Sequence, residues 1–180
     1  MQKRVLSCVL LVVLLVGLSQ IAAAESVVDN IVAWKAVDFI NQDGGTVQIR
    51  SDRAYPTFSH WDYADHWVEW KVVVKEDGLY VPAAMYATGR DQAPRQLSLN
   101  GEVVLDMVFF STGDFLTYQL GFFDPITLAA GEYTVRMTVS ADPGVHVGVN
   151  PAWFAFLPVD VILGMDDDEI ISTVEAMLGL

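Results

Sequence analysis

The sequence predicts an all-β protein, an antiparallel sandwich or barrel followed by a short C-terminal α-helix. Three observations carry this. Apolar and polar residues alternate at period two in several short runs. Gly, Pro, Asn and Asp punctuate those runs at regular spacing. Helical period appears only near the C-terminus.

The first clear run is Trp67–Val74, which puts Val68, Trp70, Val72 and Val74 on one face and Glu69 and Lys71 on the other. Asp77-Gly78 is a turn signal, and Gly78–Ala87 returns as the next strand. Pro82 inside that strand predicts an edge position or a bulge. Asn100-Gly101, between Gln96–Leu99 and Glu102–Leu105, predicts a two-residue hairpin. Phe115–Leu120 is a short strand candidate. Ala129-Ala130-Gly131 is a turn, and Glu132–Ser140 alternates well. Asp142-Pro143-Gly144 breaks that strand. Trp153–Leu157 is the last apolar strand, preceded by Asn150-Pro151. Asp166, Asp167 and Asp168 can cap a helix and favour its positive end. Ile170, Ile171, Val174, Met177 and Leu178 then recur at helical spacing up to Gly179.

The N-terminus reads as a targeting segment. Lys3 and Arg4 precede an apolar run from Val5 to Gly17, and Ala22-Ala23-Ala24 supplies a small-residue cleavage pattern. The expected layout is a signal peptide over 1–24, a β-sandwich over 25–160 and an acidic helical tail over 161–180. The expected destination is the periplasm or the extracellular space. Cys8, the one cysteine, lies inside the leader, so the mature chain has neither disulfides nor a thiol nucleophile. No later apolar run is long enough for a membrane anchor.

The 180 residues hold 23 acidic and 10 basic side chains, a net −13. This excludes a general nucleic-acid binder, which needs a basic stripe. It also argues against an anionic membrane or a polyanionic substrate as the main partner. No phosphate loop, zinc-protease motif or serine-hydrolase elbow is present. His60, Asp62, Asp65 and His66 are metal-ligand types at a spacing that matches no strand or helix site. No spacing selects a carboxylate pair for hydrolysis, so no enzyme is expected.

The aromatic inventory is more informative: nine Phe, six Tyr and five Trp. Tyr55, Phe58, Trp61, Tyr63, Phe115 and Tyr118 sit beside turn residues rather than in alternating runs. At least half of these are expected to plug the ends of the sandwich. Rings left exposed on loops would stack on the apolar face of a sugar. Covering about 60–80 Å² gives roughly 1.5–2 kcal/mol per ring, which supports weak binding after association costs.

The order of these pieces resembles the family 6 and family 35 carbohydrate-binding modules, over about residues 34–158. The matching pieces are Lys35-Ala36-Val37-Asp38-Phe39, then Trp61, Asp65–Trp70 and Gly78-Leu79-Tyr80. Asn100-Gly101, Thr112-Gly113-Asp114-Phe115, Ala130–Arg136 and Asn150-Pro151-Ala152-Trp153 follow in the same order. The resemblance implies a galactose-binding-like β-jelly-roll whose loop-end cleft stacks sugar between two aromatics and bonds it with an asparagine. By position these are Trp61, Phe115, where the family usually has Trp, and Asn150. The family's structural calcium is expected to be absent, because Lys35, Val37 and Ala152 stand at its ligand positions and offer no oxygen side chain.

The leading expectation is therefore a secreted, non-catalytic module that binds carbohydrate or polysaccharide without a cofactor. The competing one is a structural or protein-interaction sandwich of the cell envelope, with the C-terminal helix docking a protein partner. Burial of Trp61 would favour the second.

Overall fold

The computed structural model describes residues 28–180; the leader and Cys8 lie outside the described residues. In chain order the strands are β1 (Val32–Lys35), β2 (Asn41–Asp43), β3 (Gln48–Arg50), β4 (Thr57–Ser59), β5 (Trp67–Val74) and β6 (Gly78–Ala87). Next come β7 (Gln92–Leu99), β8 (Glu102–Phe110), β9 (Gln119–Phe122), β10 (Ile126–Leu128), β11 (Gly131–Val139) and β12 (Asn150–Pro158). Two helices end the chain, α1 (Val159–Ile162) and α2 (Asp167–Leu178).

Two antiparallel five-stranded sheets form a sandwich. One runs β1-β12-β6-β10, with β9 also on β6; the other runs β2-β5-β11-β7-β8. A separate ribbon pairs β3 with β4. The inner faces follow the sequence alternation. Val68, Trp70, Val72 and Val74 of β5 are buried, as are Val135, Met137 and Val139 of β11. Across the gap, Trp70 meets Phe154 edge-on at 5.2 Å, and within one sheet Trp34 of β1 meets Phe156 of β12 at 5.1 Å. Such pairs add to the area they bury. The hairpin at Asn100-Gly101 forms with both residues at positive φ, 53° and 89°, the geometry of a two-residue primed turn.

Three local expectations need correction. Pro82 lies in an interior strand, not at an edge. It is tolerated because β10 pairs Gly78–Tyr80 while β9 pairs Ala83–Tyr86, leaving a break beside Pro82 where no ladder donor is needed. Its carbonyl still accepts from Phe123 N at 3.0 Å. The Phe115–Leu120 strand starts only at Gln119, because Asp114 Oδ1 accepts from Leu116 N and Thr117 N, both at 2.7 Å, and holds Phe115 in a loop. Asn150-Pro151 is already inside β12, with a register shift before Trp153.

β12 is buried along its whole length. One face joins the core between the sheets. The other belongs to a second cluster in which Met85, Trp153, Ala155 and Leu157 meet Ile170 and Val174 of α2. The helix starts with a capping box between Asp166 and Glu169 and stops at Gly179 in the left-handed region. Tyr55 Oη donates to Glu175 Oε1 at 2.6 Å, and burial together with that carboxylate pushes the Tyr55 phenol up to about 12. The apolar stripe of α2 is thus packed within the chain. Ile170→Ala should cost about 2–4 kcal/mol in urea unfolding; a loss below about 0.5 kcal/mol would mean that α2 is not docked on the sheet.

Candidate functional site

The loops at one end of the sandwich enclose a cleft of about 330 Å³. Its construction starts from a threonine. Thr88, fully buried after β6, donates from its hydroxyl to Gly148 O at 2.7 Å, and the same oxygen accepts from Arg90 N at 3.1 Å. Its backbone N donates to Thr112 Oγ1 at 3.0 Å, and its carbonyl accepts from Thr112 N at 2.9 Å. Three loops are thereby joined: 88–91, 111–118 and 141–149.

The fourth loop, 59–66, is held by Arg95 from β7. The residue is fully buried, and its Nη2 donates to Trp61 O at 2.7 Å and to Val147 O at 2.9 Å. Nη1 donates to Pro94 O at 2.8 Å. Val147 N in turn donates to Asp62 O at 3.2 Å. The residues after those two carbonyls, Asp62 and Gly148, both line the cleft. Burial pulls the guanidinium down to about 9, so it remains a cation at neutral pH.

The three residues singled out from sequence separate into two groups. Phe115 and Asn150 both line the cleft. Phe115 is half-buried, and Asn150 Nδ2 donates to Phe115 O at 3.0 Å, fixing the loop that carries the ring. Trp61 does not join them as an exposed platform. It is 0% exposed: its indole N–H donates to His66 O at 3.1 Å, Phe58 meets it edge-on at 5.6 Å, and the Arg95 guanidinium covers its ring at 4.2 Å. An indole offered both a core neighbour and a carbonyl acceptor buries more apolar surface inward than on a wet loop. Trp61 therefore plugs the sandwich end, under the floor of the cleft.

Sequence reasoning missed several other lining groups, having named His60 and Asp62 only as metal-ligand types. Arg50, Arg53 and Arg90 border the cleft, with His60, Ser59 and Asp62. His60 takes a positive φ of 65°, and its Nδ1 lies 3.0 Å from Ser59 Oγ. The Arg90 guanidinium lies 5.9 Å from the Phe115 ring centre. Asp62 Oδ2 lies 3.7 Å from His146 Nδ1, and Asp62 Oδ1 is buried without a hydrogen-bond partner among the described residues. The only sequence signal for the arginines is their type, since Arg50 and Arg53 come from the β3–β4 ribbon and Arg90 from the β6–β7 loop. Among the described residues no three His, Cys, Asp or Glu side chains converge as a metal site. Nor is any described helix long and apolar enough to cross a membrane.

His66, proposed above only as a metal-ligand type, is fully buried with neither ring nitrogen partnered. A side-chain carbon at Gly45 would fall 2.5 Å from its Nδ1, so glycine is required there. Burial holds the His66 pKa below its ordinary value.

No protein-family model and no curated protein sequence matches the chain. Solved structures do. A family 35 carbohydrate-binding module from Clostridium thermocellum superposes with a TM-score of 0.59 at 22% identity, over 72% of this chain and 98% of that one. A family 6 module from Cellvibrio mixtus lichenase 5A, solved with cellotriose, gives 0.58 at 16%, over 71% and 96%. A Paenibacillus cycloisomaltooligosaccharide glucanotransferase gives 0.59 at 14%, over 69% of this chain but 18% of the enzyme.

Two outcomes follow from the geometry. Arg95→Met leaves the Trp61 and Val147 carbonyls without their donor in a dry site, and should cost about 2–4 kcal/mol in urea unfolding. Arg95→Lys should not restore it, because one ammonium cannot reproduce the planar fork. Full stability in either variant would contradict the assigned role. Second, the unfolded chain takes up a proton on His66 near pH 6.5 that the folded chain resists. Stability should fall as pH drops from about 7 to 5, and the fall in melting temperature should be smaller in His66→Gln. Equal slopes would remove His66 as the cause. The fold is that of the family 6 and family 35 carbohydrate-binding modules.

Proposed function

We propose that this chain is an exported, non-catalytic module that binds carbohydrate in the loop-end cleft. The observation that carries the reading is Phe115, an aromatic wall of a concave, polar-lined cleft on a scaffold shared with sugar-binding modules. A pyranose presents an apolar face and a hydroxyl rim. Phe115 covers the first. The Asp62 carboxylate and Asn150, which line the cleft, meet the second. One ring and a few polar groups support micromolar-to-millimolar affinity. This binding needs no calcium: the expected ligand positions hold Lys35, Val37 and Ala152. The N-terminal leader and the absence of thiols from residues 25–180 support export.

Burial of Trp61 counts toward the competing scaffold reading; the sugar reading rests instead on Phe115 and Asn150 on their shared cleft, with Trp61 supporting it from below. Titration calorimetry against hits from a glycan array provides the test. Phe115→Ala should weaken binding roughly tenfold or more, in line with about 1.5–2 kcal/mol per stacked ring, with an unchanged melting temperature. Trp61→Ala should instead lower the melting temperature. Sugar binding indifferent to Phe115, or no glycan bound at all, would end this reading.

A further inference from the structure

The outermost strands of the two sheets are short, with one exception. β1, β2, β9 and β10 run for three or four residues each. β8, at the far edge of the sheet that β2 begins, runs for nine and pairs only with β7. An outer strand offers a row of free N–H and C=O groups to any other strand, and proteins blunt it with shortness, lysine, proline or a bulge. Residues 102–110 hold no lysine, arginine or proline. Their one irregularity is a bulge. The register moves from Leu97↔Leu105 to Ser98↔Val103, which leaves Val104 without a counterpart. From Leu105 to Phe110 the pairing is regular.

The direction of the free groups follows from the ladder. Pro94 O accepts from Ser140 N at 3.3 Å, on the β11 side of β7. The backbone of Pro94 therefore faces away from β8, and Val108, its register counterpart, faces away from β7. By the alternation of an antiparallel pair, Asp106 and Phe110 face outward with it. Phe110 O confirms this, since it accepts from Tyr86 Oη at 3.2 Å. The N–H and C=O of Asp106 and Val108 find no partner among the described residues. The side chains of these three residues share the outer face, with Asp106 and Phe110 exposed and Val108 half-buried, while Met107 and Phe109 enter the core.

We infer that this edge pairs with the same edge of a second copy of the chain, antiparallel and two-fold about Val108. Val108 N–H donates to the Val108 carbonyl of the second copy and accepts the same bond in return. Asp106 and Phe110 exchange their outward groups across the join. The register itself favours a second copy. Asp106 is the one charged side chain between Leu105 and Phe110, and it falls beside Phe110 of the second copy rather than beside its own counterpart. The two Asp106 carboxylates then stand about 13 Å apart, four residues at about 3.3 Å each. That exceeds the screening length of about 10 Å at 0.1 M salt. Val108 meets Val108, an apolar cross-strand pair. A join through one strand lies at the small end of interface sizes, below about 1,200 Å², and both copies are acidic, so the dimer is weak and reversible. Because the paired strands run in opposite directions, the 111–118 loops that follow them lie at opposite ends of the dimer. The inference does not depend on what the loop-end cleft binds.

The test is equilibrium sedimentation of the exported form of the chain from about 10 µM to about 1 mM, with amide exchange measured at both ends of the range. The average mass should rise toward that of two chains. The amides of Asp106, Val108 and Phe110 should exchange about tenfold or more slowly at the high concentration. Val108→Lys places a charge at the two-fold axis and should hold the chain at the mass of one copy throughout, with its melting temperature unchanged. Val108→Pro removes a donor that β7 does not use and should do the same. Val103→Lys, exposed beyond the bulge, should leave the dimer intact. A wild-type chain that stays monomeric at the high concentration would overturn the inference and leave the edge to a different strand. A dimer that survives both Val108 variants, or whose Val108 amide exchanges equally fast at both concentrations, would also overturn it.

Discussion

A guanidinium without access to water holds the loop end of this molecule together. Arg95 extends from β7 into a space sealed by Trp61, and its donors reach backbone carbonyls on two different loops. Removing such a cation from water is costly, and no carboxylate contacts it among the described residues. Three carbonyl acceptors and an aromatic face offset the cost. The arrangement fixes the loops carrying Asp62 and Gly148 relative to the sheet. Thr88 then ties the Arg90 and Phe115 loops to the same frame. A cleft made of four loops becomes a rigid object because two buried side chains each satisfy backbone groups from more than one of them. Preorganisation of this kind favours binding by a site with few contacts.

The C-terminal helix serves the same scaffold from the other side. Without α2, the outer face of β12 and β6 would expose Met85, Trp153 and Leu157 as one apolar surface. Ile170 and Val174 and the Tyr55–Glu175 bond hold the helix over that face. Its acidic exposed side adds to the negative charge of the surface. The cationic cleft stands apart from it at the loop end.

Much of the fold was legible because its signals are local. The alternation in β5 and β11, the Asn100-Gly101 turn and the Asp166 cap each depend on a few consecutive residues. Pro82 was misleading because its tolerance depends on where β9 and β10 end, and those strands lie about forty residues further along the chain. The site was legible only in part. Phe115 announces itself by neighbouring turn residues, and Asn150 came only from its place in the family resemblance. Trp61 looked the same in sequence, and its burial was decided by Arg95 and His66, whose approach no local pattern encodes. Arg53 and Arg90 sit in ordinary loop sequence, and only the fold brings them to one cleft.

The most direct test of the cleft assignment is a chemical-shift map of the isotopically labelled chain titrated with a saccharide that binds it. The account predicts that perturbations cluster at Ser59 to Asp62, Gly89 to Arg90, Gly113 to Thr117 and His146 to Asn150. Perturbations confined to the outer face of either sheet, with Phe115 and Asn150 unmoved, would contradict it.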